Sequence, residues 1–464
     1  VIEESVINAT LSTALRTGAD FAEVFVEDKK RSSAHLDDSR IEELTSGRSR
    51  GAGIRVIVGE STGFAHTSDL SEAGLQQAAE AAAAAARGSN GDTRTVSVTR
   101  QDVTPAYEIT TFPETIAKSR KVEMLTMAND VARSVNNAIS QVSVTYSDSR
   151  RQILVANSEG LLAGDDQVRT VFGVGCVATG DTGMQTGRMT VGRPIGFELF
   201  DEYDISDLAQ QAANMAVTKL RARPAPSGEI PVVIGNGGGG VLFHEACGHG
   251  LEADLVAKSA SVFKDRVGQL VASPLVTLID DGTMPREWGF FTIDDEGKPA
   301  QSNTLIKDGV LVDYMYDGIR ARKEGRPSSG NGRRQSYKHL PMVRMTNTYI
   351  SNGETDPDDI VADTPSGIYI KKLGGGQVDT ASGDFVFGMA EAYLIEDGKV
   401  TEPIREGNLI GNGPAVLEAI DALGNDFDMG SPGTCGKEGQ GVPVGDGTPT
   451  LRVPTGLTVG GTAA

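Results

Sequence analysis

Cysteine is scarce in this chain, with three residues in 464. So few thiols give no disulfide framework, and the expectation is a protein of a reducing compartment, the cytoplasm. Aromatic residues make up only 5% against 57 glycines, so the cores should be aliphatic and the turns many. No apolar run reaches the roughly 18 residues that a membrane span needs. The start, Val1-Ile2-Glu3-Glu4, does not read as a signal peptide. Positive charge is also short: 43 Lys and Arg stand against 63 Asp and Glu, a net charge of −20. That field repels a polyanion and excludes nucleic acid as a natural partner. Only five histidines are present, and two of them fall within six residues.

Those two lie in Phe243-His244-Glu245-Ala246-Cys247-Gly248-His249-Gly250, after an apolar run and four glycines. Neutral imidazole is a common zinc ligand, and a glutamate beside the first ligand can take a proton from water on the metal. The pattern HExxxH therefore fits a hydrolase. Its spacing has a geometric consequence. On an ideal α-helix, positions five apart are separated by roughly 140° around the axis, too far to share an ion. A local π-widening, with its i→i+5 hydrogen bond, returns them to one face, so a bulge is expected between His244 and His249.

A catalytic zinc usually has three protein ligands and an open position. For the third, Cys247, Glu252 and Asp254 are near in sequence and Cys435 is distant. Cys247 also fits a small buried hydrophobe. Cys435 sits in the glycine-rich stretch Gly430-Ser431-Pro432-Gly433-Thr434-Cys435-Gly436, which reads as a loop. Glu252 and Asp254 suit an outer role, accepting the free imidazole N–H. A phosphate-loop reading of the glycine run fails, because Val241-Leu242-Phe243 follows where a lysine is required. The glycines serve either a close backbone approach to the metal or a substrate strand, or a flexible turn.

The segment from His244 to Asp254 resembles the signature of the TldD branch of the TldD/PmbA peptidases. Gly330-Asn331-Gly332-Arg333-Arg334, Met345-Thr346-Asn347-Thr348, Gly374-Gly375-Gly376-Gln377-Val378-Asp379, Gly383-Asp384-Phe385 and Gly433-Thr434-Cys435-Gly436-Lys437 extend the likeness in order. It runs along nearly the whole chain and is strongest beyond residue 229. The resemblance implies a zinc metallopeptidase with His244, His249 and Cys435 as ligands and Glu245 as the catalytic carboxylate. It also implies a homodimer, or a heterodimer with a PmbA/TldE-type subunit, and short or unfolded peptides as substrates. The PmbA branch lacks the HExxxH residues that this chain keeps.

The expected mechanism is hydrolysis of a peptide bond, with Glu245 as general base and a nearby donor steadying the oxyanion. His339 is the candidate donor, with Tyr337 equal on paper and Arg334 weaker. Soft sulfur ligation favours zinc over manganese. Arg333-Arg334 with Lys338 could bind a substrate carboxylate or a neighbouring acidic loop. An extended peptide could pair with a sheet edge. Gly374-Gly375-Gly376 reads as a plain turn, with a place on such an edge as the alternative. Two rivals stand beside the peptidase: a noncatalytic zinc-stabilised scaffold or regulatory subunit, and a zinc amidohydrolase acting on a small amide.

The chain reads as α+β, with an N-terminal α/β region and a largely antiparallel C-terminal catalytic domain carrying the HExxxH helix. Helices are expected near 4–17, 70–87, 114–138 and 205–221, and strands at 21–26, 53–58 and 61–65. A strand meander covers 140–200 and ends near Phe197-Glu198-Leu199-Phe200. Residues 1–222 form the expected N-terminal domain, for dimerisation or substrate enclosure. Arg223-Pro224-Ala225-Pro226-Ser227-Gly228 is the expected linker and 229–464 the metallopeptidase domain. A strand over 229–234 opens that domain, and Asp-Gly turns such as Lys307-Asp308-Gly309 and Glu396-Asp397-Gly398 break its later strands.

Overall fold

The computed structural model describes residues 2–86 and 95–461. Val1 and Arg87, the expected end of the second helix, lie outside the described residues. A seven-stranded sheet takes all its strands from Phe21 to Arg193, in the order Ser61–Thr67, Arg40–Val58, Phe21–Asp37, Ile139–Asn157, Leu161–Gly180 and Thr99–Arg100, with Gly183–Arg193 also on Leu161–Gly180. Every pairing in it is antiparallel except that of Thr99–Arg100. The strands are far longer than their apolar runs. Arg40–Val58, for example, is exposed along its first eleven residues and buried only from Gly51 onward.

Helices cover one face in two pairs. Glu4–Ala14 and Glu72–Ala85 pack on Ala52, Ile54 and Val56, and Lys118–Val135 and Ile205–Leu220 pack on Val142, Val144, Phe172 and Val174. The alanine-dense stretch is amphipathic, as expected: Ala78, Ala79, Ala82 and Ala83 are buried. Phe197-Glu198-Leu199-Phe200 is not a strand. Gly196 accepts the N–H of Leu199 and a short helix runs Leu199–Glu202, because its aromatic rings must turn inward together onto Tyr146 and Phe172.

The second half holds a ten-stranded and a seven-stranded sheet, mostly antiparallel, around one apolar cluster. Val232–Ile234 lies between Ser366–Val378, to which it is parallel, and Leu451–Val453. The expected strand at 229–234 is interrupted: Gly228–Glu229 pairs with Thr458–Gly461 and Val232–Ile234 resumes after Pro231, which has no N–H to donate. The stretch expected as a linker is also pinned at its start, where Arg223–Pro224 pairs with Ile404 and Arg405. The turns at Asp308-Gly309 and Asp397-Gly398 both have two successive positive φ angles (49° and 81°, 48° and 69°), the requirement of tight hairpins. Gly374, Gly375 and Gly376 do not form a turn; they lie within Ser366–Val378, where the register with Asp384–Glu396 shifts.

The seam between the halves is ionic. Arg55 joins Glu23 and Glu296, each at 2.7 Å, Arg334 also takes Glu23, and Arg151 bridges Glu27 and Asp295. Arg55, Glu23 and Arg334 are almost completely buried. Removing one member of such a buried set typically costs about 3–5 kcal/mol. Beside it Phe25, Ile153, Val155 and Ala163 pack on Ile293 and Tyr337. Among the described residues, no helix is long and apolar enough to cross a membrane.

Candidate metal centre

From Val232–Ile234 the chain enters a helix whose pitch changes twice: α over Gly240–Phe243, π over His244–Gly248, and 3-10 over His249–Leu251. The expected widening is present. The His249 N–H donates to the carbonyl of His244, the i→i+5 bond that defines it. Both imidazoles then lie on one side, their ring centres 5.2 Å apart. Two glycines let this helix sit where it does. A Cβ at Gly240 would stand 2.4 Å from Asp446 Oδ1 and 2.5 Å from the Gly447 nitrogen, and one at Gly248 would stand 2.2 Å from Met345 Sδ. The close approach at Gly240 is to Asp446 and Gly447 of the chain itself, not the expected approach to a metal or a substrate strand, and residues 236–238 of the glycine run form a turn.

Cys435 arrives from the opposite side on a strand, Gly433–Lys437, and not on a loop. That strand pairs with Gln440–Thr448, which sets Cys435 opposite Val442. Fully buried Arg344 clamps the pair by donating to the carbonyls of Cys435 and Gln440. One donor atom each of His244, His249 and Cys435 then lies within 4.8 Å of the others, all three residues buried. Cys435 Sγ is 3.4 Å from His249 Nε2.

These residues fit a thiophilic divalent ion. Both nitrogens of His244 are buried with no hydrogen-bond partner, an arrangement that costs free energy unless something else satisfies them. Burial alone would raise the Cys435 thiol, but the two imidazoles outweigh it and bring it down to about 4, so the sulfur favours its ligand form. His249 donates Nδ1–H to Glu252 Oε2 at 3.0 Å, which fixes its tautomer and leaves Nε2 facing the sulfur. Burial would lift the Glu252 carboxyl, yet His249 and Lys437 hold it below its ordinary value.

Glu245 is the member of the motif that reaches solvent, its side chain 31% exposed and its Oε2 3.7 Å from His249 Nε2. Glu252 takes the outer role expected of it. Asp254 does not reach an imidazole; it accepts from Lys437 at 2.7 Å. Cys247 is buried in the apolar cluster, and burial pushes its thiol up, so it packs as a hydrophobe. His339 is half-buried and bonds Ser336 Oγ through Nδ1 at 2.9 Å, within its own turn. Tyr337 and Arg334 belong to the seam. Asn331, Thr346 and Thr348, which carry the resemblance, all donate to buried Asp280 and so brace the sheet behind the site.

Two participants escaped the sequence reading. Lys437 donates to Glu252, Asp254 and the carbonyl of Val343. The signal was its place two residues beyond Cys435, hence on the same face of a strand. Asp446 had no such signal, because it lies beside the metal helix only through the close approach at Gly240. Burial lifts its carboxyl to about 6, with His244 opposing the rise and Glu245 adding to it.

Known proteins share this architecture. Models described as PmbA/TldA metallopeptidase domain 1, central domain and C-terminal domain match residues 22–86, 113–220 and 227–461. A metalloprotease TldD homolog from Haemophilus influenzae is 40% identical, covering 96% of this chain and 93% of its own. A metalloprotease from Methanothermobacter thermautotrophicus is 35% identical over 96% of each chain. The crystal structure of TldE from Thermococcus kodakarensis superposes with a TM-score of 0.78 at 19% identity, over 98% of this chain and all of that one, a likeness of fold. With all three domain models matched in order and relatives of this identity spanning its length, the chain belongs to the PmbA/TldD metallopeptidase family, in the TldD branch.

Proposed function

We propose that this protein is a zinc-dependent peptidase acting on short or unfolded polypeptides, with His244, His249 and Cys435 as metal ligands and Glu245 as general base. The observation that carries the reading is the convergence of three buried donors with one solvent-reaching carboxylate beside them. A bound zinc ion supplies Lewis acidity, polarising the scissile carbonyl and lowering the pKa of the attacking water. Glu245 takes the proton of that water and returns it to the leaving amine. Glu252 holds His249 in the ligating tautomer, Lys437 holds Glu252, and His339 is the candidate donor to the oxyanion.

An extended substrate suits the open side of Ser366–Val378. Beyond Leu373, whose N–H donates to the Gly238 carbonyl at 2.9 Å, that strand pairs with Asp384–Glu396 on one side and with no described strand on the other. Backbone pairing there gives affinity without strong side-chain preference. Residues 1–222 serve as an enclosing and dimerising domain, 223–228 as the connection and 229–464 as the peptidase domain. The active unit is a homodimer or a pair with a PmbA/TldE-type subunit, in the cytoplasm.

Zinc content and cleavage of an unstructured peptide library, read by mass spectrometry with and without a partner subunit, test the proposal. Glu245→Gln should keep the metal and lose cleavage by about 10²–10⁴-fold. Full metal with unchanged cleavage would remove Glu245 from the mechanism. A wild-type protein that binds zinc and cleaves no peptide bond would favour the scaffold or small-amide readings.

A further inference from the structure

The cations along the seam are of two kinds. Arg55, Arg334 and Arg151 are matched by Glu23, Glu296, Glu27 and Asp295. Arg169 and Arg333 are not. Arg169 donates to the carbonyls of Trp288 and Phe290 and to Gln167 Oε1, and Arg333 to the carbonyls of Met345 and Pro443. Both are more than nine-tenths buried, at 7% and 5% exposure. Lys29, half-buried, joins them around a cavity of ≈ 50 Å³ that also presents Ser149, Gln167 and Gln335. Among the described residues, no ion pair links these three cations to a carboxylate.

The acids on the cavity wall do not offset them. Asp295 is engaged by Arg151 at 2.8 Å and by the Arg334 N–H at 2.8 Å. Asp294 already accepts the backbone N–H groups of Glu296, Lys298 and Gly332, and burial together with nearby Glu296 lifts its carboxyl well above the ordinary range. The cations bear the opposite strain. Burial lowers Lys29, with Arg151 adding to it, takes Arg169 to about 10, and takes Arg333 to about 9 with Arg169 adding to it. Desolvated positive charge without a counter-charge is costly, and an oxyanion accepting from guanidinium and ammonium donors relieves it.

We propose that this cavity is an oxyanion-binding site, holding one carboxylate or phosphate-type group through Lys29, Arg169 and Arg333; the Gln167 amide is already engaged, donating to Asp165 at 3.1 Å and accepting from Arg169. Its volume suits such a group or a few waters and is too small for a whole residue. One wall is Gly441-Val442-Pro443, and Val442 stands opposite Cys435 and packs with it. The site is therefore one strand pair away from the metal ligands. Two sources supply this chemistry: the terminal carboxylate of a peptide, or a free inorganic anion.

The test titrates full-length, zinc-loaded protein with inorganic phosphate at constant ionic strength, following heat of binding and Tm. Lys29→Met is the first variant, because the Lys29 side chain has no described hydrogen bond whose loss would unfold the chain. Arg333→Gln, checked for an unchanged circular dichroism spectrum, is the second. Saturable binding that both weaken tenfold or more, and that Cys435→Ser leaves within twofold, supports the site. In the Glu245→Gln background, a free-acid peptide binding tighter than its amidated twin, with the difference lost in Lys29→Met, assigns the source to a peptide terminus. Phosphate binding without that difference assigns it to a free anion. Absence of saturable binding in both arms overturns the proposal. So does binding that survives Lys29→Met, or that disappears with Cys435→Ser alone and thereby sits on the metal. The phosphate arm, which decides whether the site exists, does not depend on whether Glu245→Gln abolishes cleavage.

Discussion

Glu252→Gln removes one charge and keeps the shape, and the surroundings show what should follow. Glu252 is completely buried, and one oxygen accepts both His249 Nδ1–H at 3.0 Å and Lys437 at 3.1 Å. The amide oxygen can still accept the imidazole proton, so the ring keeps its orientation but loses the negative charge that raises its basicity as a ligand. Lys437 keeps Asp254 at 2.7 Å and the Val343 carbonyl at 3.0 Å, so its ammonium is not orphaned and the fold should survive. Losing an outer-sphere carboxylate of this kind weakens metal binding by about 10–100-fold. At ~1.4 kcal/mol per factor of ten, that is about 1.4–2.8 kcal/mol. Competition with a chromophoric zinc chelator measures it directly, with urea unfolding of the metal-free protein as a control for stability. A variant whose zinc affinity stays within twofold of the wild type would refute the claim that Glu252 tunes His249.

Gly240→Ala should destabilise by about 1–3 kcal/mol, because the new methyl meets Asp446 and the backbone of Gly447, which cannot move aside. Gly436→Ala, with open space around the added carbon, should stay within about 0.5 kcal/mol of wild type, and urea midpoints compare the two. Burial first, and then Glu296, raise Asp317 from its ordinary value to about 7. The folded state therefore holds that proton more tightly than the unfolded one, and stability attributable to Asp317 falls as pH rises from about 4 to 7. Asp317→Asn keeps the helix cap to Arg320 and should gain on wild type across that window; parallel unfolding midpoints at pH 5 and 7.5 would contradict this. His339→Ala should lower kcat with little change in zinc content, and an unchanged kcat would exclude it as the oxyanion donor.

The candidate metal centre was legible where its chemistry is local. An i,i+5 pair of imidazoles forces either a bulge or a failed site, and His249 bonding back to His244 is that bulge. Glu252 was legible for the same reason, three residues beyond the ligand it orients. Cys435 was placed by resemblance and not by spacing, since nothing near position 435 announces a partner 186 residues earlier. The fold class, the helices and the Asp-Gly hairpins followed from periodicity and turn chemistry. The long strands of the first sheet did not, because segments such as Arg40–Arg50 are solvent-exposed and carry no alternation. Arg333 and Arg334 show the limit most clearly: adjacent and alike in sequence, the second pairs with Glu23, 311 residues away, and the first has no carboxylate partner among the described residues, a difference no local pattern carries.

The strand pairing at both ends of residues 223–228 restricts how this protein can open. A pivot there would have to strip backbone hydrogen bonds from Ile404 and Thr458 before either half could swing. In the proposed peptidase, substrate entry and product exit therefore rely on smaller movements, and the glycine-bearing arm at 374–378, which among the described residues pairs with no strand on its outer side, is placed to supply them.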